Sequence, residues 1–250
     1  MFELNGKNAV ITGSAQGIGY DIAVIFAKQG ANVTICDVNY DKAVASAKEI
    51  SDLGFGKAIA VLCDVRNSDH IINVFEETKK AFGGVDILVN NAGVLHSTPV
   101  TEITEEEWQF QLDVNLNGTF LACQKAYDYL KDSKAGRIIN IASVAGRMGS
   151  YASGMGYVAS KGAVRSLSMG LARQYGSAGI TVNCICPGVI ATSMIEQWTE
   201  ETIQAQIDRV YTGRLGTTRD VGALCVYLAS DESGYITGST LDINGGMFMG

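Results

Sequence analysis

Seven short runs of nearly unbroken apolar residues punctuate the chain, at 8–13, 31–37, 58–64, 86–90, 137–142, 181–186 and 240–243. Most are rich in valine and isoleucine and lack the alternation of a strand wetted on one face. Continuous hydrophobicity over so short a run is the pattern of a strand buried on both faces of a parallel sheet. Between the runs, apolar positions recur with helical period over 17–29, 41–53, 68–82, 104–130 and 156–175. Thr104 followed by Glu107 reads as a capping box opening the fourth of these. Strands alternating with helices, joined by right-handed crossovers, predict an α/β fold with a doubly wound parallel sheet and helices on both faces.

Nothing divides the chain. It has two prolines, Pro99 and Pro187, and no Ser/Gly tract, so residues 1–250 are expected to form a single domain. The stretch 190–218 lacks strand character and carries one helical segment at 199–210. Its length suits a lid better than a simple connection.

Composition narrows the function. With 47% hydrophobic and 18% charged residues, the 250-residue chain can build a substantial core. A formal net charge of −7 repels nucleic acid and anionic lipid, leaving a small molecule as the expected partner. No apolar run approaches the ~20 residues of a membrane span, and Met1–Lys7 lacks the order of a signal peptide. The six cysteines form no CxxC pair, which fits a reducing cytoplasm and argues against a metal site. Cys184 and Cys186 share a face of one predicted strand, an arrangement more consistent with burial than with metal or redox chemistry.

The first strand runs into Thr12-Gly13-Ser14-Ala15-Gln16-Gly17-Ile18-Gly19. Glycines here let the backbone turn tightly and approach a pyrophosphate resting on the N-terminus of the next helix. Asp37 closes the second strand, where a carboxylate accepts from the adenosine ribose hydroxyls and repels a 2′-phosphate. Two unit charges ~4 Å apart repel by roughly 4 kcal/mol at an effective dielectric of 20. No basic residue adjoins Asp37 in the sequence, and Gln16 stands where one would help, so NAD is the expected cofactor. Asp64 and Val65, after the third strand, are candidates to hold the adenine. Asn90-Asn91-Ala92-Gly93, after the fourth, permits close backbone approach. All these groups lie at carboxyl ends of strands, where open α/β sheets bind ligands.

Tyr157 and Lys161 are four apart and share a face of the last long helix. Ser143 follows the fifth strand, and Asn115 lies in the preceding long helix. Loss of hydride from a secondary alcohol requires a base beside the hydroxyl. A phenol with pKa ~10 is a poor base unless a cation favours its phenolate. Tyr157 is therefore the candidate acid/base, Lys161 the cation and Ser143 the group that positions the substrate oxygen.

Together these motifs resemble the short-chain dehydrogenase/reductase family over essentially the whole chain: the Gly13, Gly17, Gly19 turn, Asn90–Gly93, Asn115, Ser143, Tyr157-x-x-x-Lys161, Asn183 and Pro187-Gly188. The resemblance implies a Rossmann sheet of seven strands and catalysis by Asn115, Ser143, Tyr157 and Lys161, with Asn115 holding a water that links Lys161 to solvent. It implies that Pro187, Gly188, Ile190 and Thr192 flank the nicotinamide, and that the chain assembles as a homotetramer. The substrate pocket is expected between Val94-Leu95-His96, residues 145–151, and a lid whose underside carries Met194, Ile195 and Trp198. Arg147 reads as a surface residue. Gly213-Arg214-Leu215-Gly216 resembles NADPH-dependent 3-oxoacyl carrier-protein reductases, the alternative activity. A non-catalytic dinucleotide sensor is the alternative of another class.

Overall fold

The computed structural model describes residues 1–150, 153–192 and 198–250. Within them the strands are β1 (Asn8–Thr12), β2 (Asn32–Asp37), β3 (Ala58–Leu62), β4 (Ile87–Asn90), β5 (Arg137–Ile141), β6 (Thr181–Pro187), β7 (Ile190–Ala191), β8 (Gly216–Thr217) and β9 (Thr240–Ile243). Seven make one sheet in the order β3-β2-β1-β4-β5-β6-β9, and every pairing in it is parallel. The helices are α1 (Gly17–Lys28), α2 (Tyr40–Asp52), α3 (Ser68–Phe82), α4 (Glu105–Leu112), α5 (Gly118–Leu130), α6 (Ala145–Met148), α7 (Met155–Tyr175), α8 (Glu200–Ile207) and α9 (Thr218–Ala229).

The unbroken hydrophobicity of the strands has the anticipated cause. Along β1, β4 and β5, neighbouring residues serve opposite faces. Ile11, Val89 and Ile139 pack with Phe26 of α1, Ile50 of α2 and Leu228 of α9. Val10, Leu88 and Ile138 pack with Phe75 of α3, Leu130 of α5 and Leu171 of α7. Each such fully buried side chain contributes about 1.5–3 kcal/mol. The strand order reverses between β1 and β4, and the crevice at their carboxyl ends collects the glycine turn and the Asn90–Gly93 segment.

Several elements depart from the sequence expectation. The segment 104–130 is not one helix: α4 and α5 are joined by a π-helical turn over Asp113–Asn117, a wider turn that holds one residue more than α geometry. Thr104 does cap α4, accepting from Glu107 N at 3.1 Å. The Glu107 side chain does not return the bond; it accepts from Thr98 Oγ1 instead. Finally, 190–218 does contain strand: β7 and β8 pair in parallel, Ile190 with Gly216 and Ala191 with Thr217. Within that stretch the helix is shorter than 199–210, running Glu200–Ile207 with Thr199 as its cap.

Candidate active site

Glycine at position 13 is forced by packing. Its φ is +61°, and a Cβ there would stand 2.7 Å from the Cα of Ala92. The β1 turn and the β4 turn are further tied by Thr12, whose hydroxyl accepts from Asn91 N at 3.1 Å and Ala92 N at 3.0 Å. Asn91 Nδ2 donates to the carbonyls of Thr12 and Gly13 at 3.0 and 2.8 Å. The Asn91 side chain thus holds the two turns together, and the Ser14 hydroxyl is equally occupied, donating to Ile11 O and accepting from Cys36 N. Gly17 differs: its φ is +61°, yet a Cβ there would meet nothing within 4 Å. The first turn of α1 carries no side-chain cap and no acidic residue. Open space over uncapped N–H groups is a cradle for a pyrophosphate, so this end fits a dinucleotide. Gly17, Ile18 and Gly19 line or shape it; Gly19 is held by packing, since a Cβ would lie 2.5 Å from Asn91 Nδ2.

Asp37 sits where a ribose would follow. Its Oδ2 accepts from Ala15 N at 3.1 Å and its Oδ1 from Asn39 N at 3.0 Å. The chain does place a cation here, contrary to the linear reading: Lys42, from the first turn of α2, hydrogen-bonds the side-chain oxygen of Gln16. Lys42 lies five positions after Asp37, too far for adjacency in sequence, but the helix carries it back to the glycine turn at Gln16. Asp64 is engaged by Arg66, whose Nε donates to both carboxylate oxygens at 3.0 and 3.1 Å. That guanidinium holds the Asp64 carboxyl below its usual range. Val65 is buried and packs on Gly118, where a Cβ would lie 2.6 Å from its methyl.

The chemical residues converge on one cavity of about 1150 Å³ at the carboxyl edge of the sheet, lined by Ser143, Tyr157 and Lys161. Pro187, Gly188, Ile190 and Thr192 also line it, with Asn91, Gly93 and Ile18. Lys161 is 4% exposed. Its Nζ donates to Ile141 O at 2.7 Å and stands 5.8 Å from the centre of the Tyr157 ring. Burial pushes the Lys161 ammonium down to about 8. Burial also pushes the Tyr157 phenol up, against the opposing pull of the Ser143 hydroxyl. By the protein's own groups, then, the phenol is not lowered as the Tyr–Lys spacing suggests. Gly93 lets β4's turn pass close by: a Cβ would be 3.2 Å from Asn115 Oδ1 and 3.4 Å from Lys161 Nζ.

Asn115 lies in the π turn, fully buried. Its side chain exchanges two bonds with Val94, accepting from N at 2.8 Å and donating to O at 2.9 Å, and donates to Ser160 Oγ at 3.1 Å. It therefore fixes the substrate-side loop to α7 one residue before Lys161. Close approach of α6 to α7 needs Gly146, where a Cβ would fall 2.6 Å from Gly162 N.

Other sequence candidates resolve differently. Arg147 is no free surface cation: it pairs with Asp242 at 2.6 Å and stacks on Phe248 with its guanidinium carbon 4.6 Å from the ring centre. His96 stacks on Phe110 and lies 3.6 Å from Glu107. Trp198, Val94 and Leu95 line the cavity, whereas Tyr151, Met194 and Ile195 lie outside the described residues. Arg214 pairs with Asp220 at 2.8 Å, fastening the start of α9. Cys184 and Cys186 are fully buried, and among the described residues no group of three or more His, Cys, Asp or Glu is placed to hold a metal ion. Neither does any helix among them have the length and apolarity to cross a membrane. Met148 lines the cavity within the expected wall 145–151, and Thr202, Gln206 and Tyr211 within the expected lid 190–218; sequence reasoning missed Met247, which lies near the C-terminus and belongs to no motif.

Comparison with known proteins agrees with this geometry. Residues 13–248 match the family model described as enoyl-(acyl carrier protein) reductase. The chain is 38% identical over 246 residues, 97% of each protein, to the (2S)-[(R)-hydroxy(phenyl)methyl]succinyl-CoA dehydrogenase subunit BbsD of Thauera aromatica. It is 36% identical over 247 residues to the 3-oxoacyl-[acyl-carrier-protein] reductase FabG of Staphylococcus aureus, covering 97% of this chain and 98% of that one. Among solved structures, a dehydrogenase/reductase from Sinorhizobium meliloti superposes with a TM-score of 0.93 at 37% identity, over 99% of this chain and 97% of that one. A 3-oxoacyl-[acyl-carrier protein] reductase with bound NAD from Brucella melitensis gives a TM-score of 0.92 at 34% identity, over 100% and 94%. Full-length likeness of this kind, on a parallel sheet whose reversal point gathers a glycine turn and a Tyr–Lys pair, establishes that the chain belongs to the short-chain dehydrogenase/reductase family of oxidoreductases.

Proposed function

We propose that the protein interconverts a secondary alcohol and its ketone with NAD(H), using Tyr157 as the acid/base. The observation that carries this reading is the shared cavity: Tyr157, Ser143 and Lys161 border one space that also reaches Ile18, between Gly17 and Gly19. The bound nicotinamide supplies the hydride chemistry. Gly17 and the N-terminus of α1 hold the pyrophosphate, Asp37 the adenosine ribose, and Ile190 and Thr192 border the nicotinamide. Ser143 donates a hydrogen bond to the substrate oxygen and steadies its developing charge. Tyr157 takes the hydroxyl proton in oxidation and returns it in reduction. Lys161, already close to its own deprotonation point, holds the nicotinamide ribose hydroxyls and favours the phenolate. Asn115 keeps the loop at Val94 and helix α7 in register, and is the candidate for holding a water beside Lys161.

The test is Tyr157→Phe. Its expected effect is a loss of at least about 100-fold in turnover, with cofactor binding, followed by nicotinamide fluorescence, largely retained. Near-normal turnover would remove the acid/base assignment.

The cavity's outer wall of Leu95, Met148, Trp198 and Met247 suits a substrate with an apolar body. The second reading, reduction of a 3-oxoacyl thioester with NADPH, is favoured by the FabG relatives and by Lys42 beside the ribose position. A panel of hydroxyacyl thioesters, hydroxysteroids and polyols, assayed with both cofactors, separates the two. The remaining parts of the proposal are one domain over 1–250, a lid about 190–218, a homotetrameric state and a cytoplasmic setting, the last supported by six buried free cysteines.

A further inference from the structure

We propose that the substrate carries an oxyanion, a carboxylate or phosphate remote from its reacting carbon, and that Arg209 holds that group with help from Gln206. The inference rests on the alcohol–ketone reading proposed above and names the substrate class of that same cavity. Thr202, Gln206 and Arg209 all line the space that Ser143, Tyr157 and Lys161 border. They stand four and then three positions apart, the spacing that sets side chains along one face of a helix. Thr202 and Gln206 belong to α8, and the Arg209 N–H, donating to Gln206 O at 3.2 Å, carries the helical course past its end. One stretch of the cavity wall is thus a row of side chains able to donate hydrogen bonds, while Leu95, Met148 and Met247 make other parts of it apolar.

The row ends on a cation without a counter-charge. Of the two cations among the described residues of the cavity, Lys161 donates to the Ile141 carbonyl. Arg209 makes no ion pair with any described residue, and neither its guanidinium nor the Gln206 amide hydrogen-bonds one. Carboxylates are not scarce, since acids outnumber bases 26 to 19 in the chain. The backbone around Arg209 is anchored: Val210 is buried, Thr212 N donates to Gly245 O at 3.1 Å and Gly213 N to Val210 O at 2.8 Å. A guanidinium on a fixed stem binds a carboxylate or a phosphate through two parallel N–H···O bonds. An ester oxygen is a neutral acceptor and gains much less. Asp208 borders the cavity as well, its carboxylate taken by Gln204 Nε2 at 2.7 Å. Its charge admits an oxyanion only where a guanidinium neutralises that group, which ties the binding to Arg209.

The experiment is steady-state oxidation, with NAD and with NADP, by the full chain as wild type, Arg209→Met and Arg209→Lys. One substrate pair is a series of medium-chain secondary hydroxy acids, of varied hydroxyl position, and their methyl esters. The other is the coenzyme A thioesters of the same acids and their pantetheine thioesters, which lack phosphate. The wild type should prefer the anionic member of one pair by about tenfold or more in kcat/KM, through a lower KM. The pair that shows the preference identifies the anion as carboxylate or as phosphate. Arg209→Met should shrink it about tenfold, Arg209→Lys should keep part of it, and added salt should reduce it in the wild type. Equal use of anionic and neutral members by the wild type would overturn the inference and leave the alcohol–ketone reading standing. So would a preference that survives intact in Arg209→Met, or turnover of hydroxysteroids or polyols with neither pair used. Turnover of no compound at all would overturn both.

Discussion

Lys161 is an ammonium in nearly dry surroundings, donating to the Ile141 carbonyl. Burial costs its charged form more than its neutral form, so its proton leaves near pH 8 in the folded chain against 10.5 for an ordinary lysine. Between these two values the unfolded chain binds more protons than the folded one, and stability must rise with pH. Below pH 8 the penalty is present in full. Unfolding by urea should therefore show wild type gaining up to about 3 kcal/mol relative to Lys161→Met between pH 8 and 10.5, at ~1.4 kcal/mol per unit. Parallel pH profiles for the two proteins would contradict the buried-ammonium assignment. Gly13 supports a second residue-scale expectation. A Cβ 2.7 Å from Ala92 Cα, at a φ of +61°, can be relieved only by parting the β1 and β4 turns. Gly13→Ala should lower stability by roughly 1–3 kcal/mol and weaken dinucleotide binding, both measurable by thermal shift with and without NADH.

Among the elements, α7 matters most, since it carries Tyr157 and Lys161. A buried polar chain fastens it to the sheet: Asn90 Nδ2 donates to Asn140 Oδ1, and Asn140 Nδ2 donates to Ser168 Oγ, each at 2.8 Å. Asn140→Ala leaves the Asn90 amide only the weak Cys123 Sγ acceptor and removes one of the ties of α7 to β5, the Lys161–Ile141 bond remaining. It should cost roughly 1–3 kcal/mol in chemical denaturation and lower turnover more than it weakens cofactor binding. A variant as stable as wild type would show that the network is dispensable. The sheet was legible because its central strands are buried on both faces and so read as unbroken apolar runs, while the edge strands β3 and β9 are only partly covered. Helix α7 was legible from its period, and the Tyr157–Lys161 spacing placed both residues beside Ser143. Helix α9 was missed although Thr217 and Asp220 form the reciprocal capping box wrongly assigned to Thr104 and Glu107. The π turn leaves no compositional trace, because residues 113–117 are acceptable in either helical geometry. Strands β7 and β8 are two residues each, too short for any periodicity. Lys42 escaped notice because only the fold sets it over Gln16.

For the whole molecule, the polar chemistry gathers at the carboxyl edge of the sheet, while a smaller cleft of about 600 Å³ at the opposite edge is bordered by Lys7, Asp86 and Asp231. Lys7 and Asp231 are already paired there at 2.6 Å, and Asp86 accepts from Ser133 and Asn8. The outer sides of α5 and α7 keep Phe120 and Met169 exposed at 42% and 45%. If the expected homotetramer buries them, sedimentation equilibrium should report an assembly larger than one chain, and the double variant Phe120→Glu, Met169→Glu should shift it toward monomer. A wild-type chain that sediments as a monomer would end that expectation.

The π turn also constrains how chain length can vary. Removing a single residue from 113–117 would restore regular α geometry and leave α5 close to its present facing, because five residues at the wider pitch turn about as far as four at α pitch. Cys123, Ala126 and Leu130 would go on facing the core, but Asn115, inside the turn, would be displaced from Val94 and Ser160. Insertions and deletions in related chains should therefore accumulate in the surface connections, such as the one between α2 and β3, and spare this five-residue stretch.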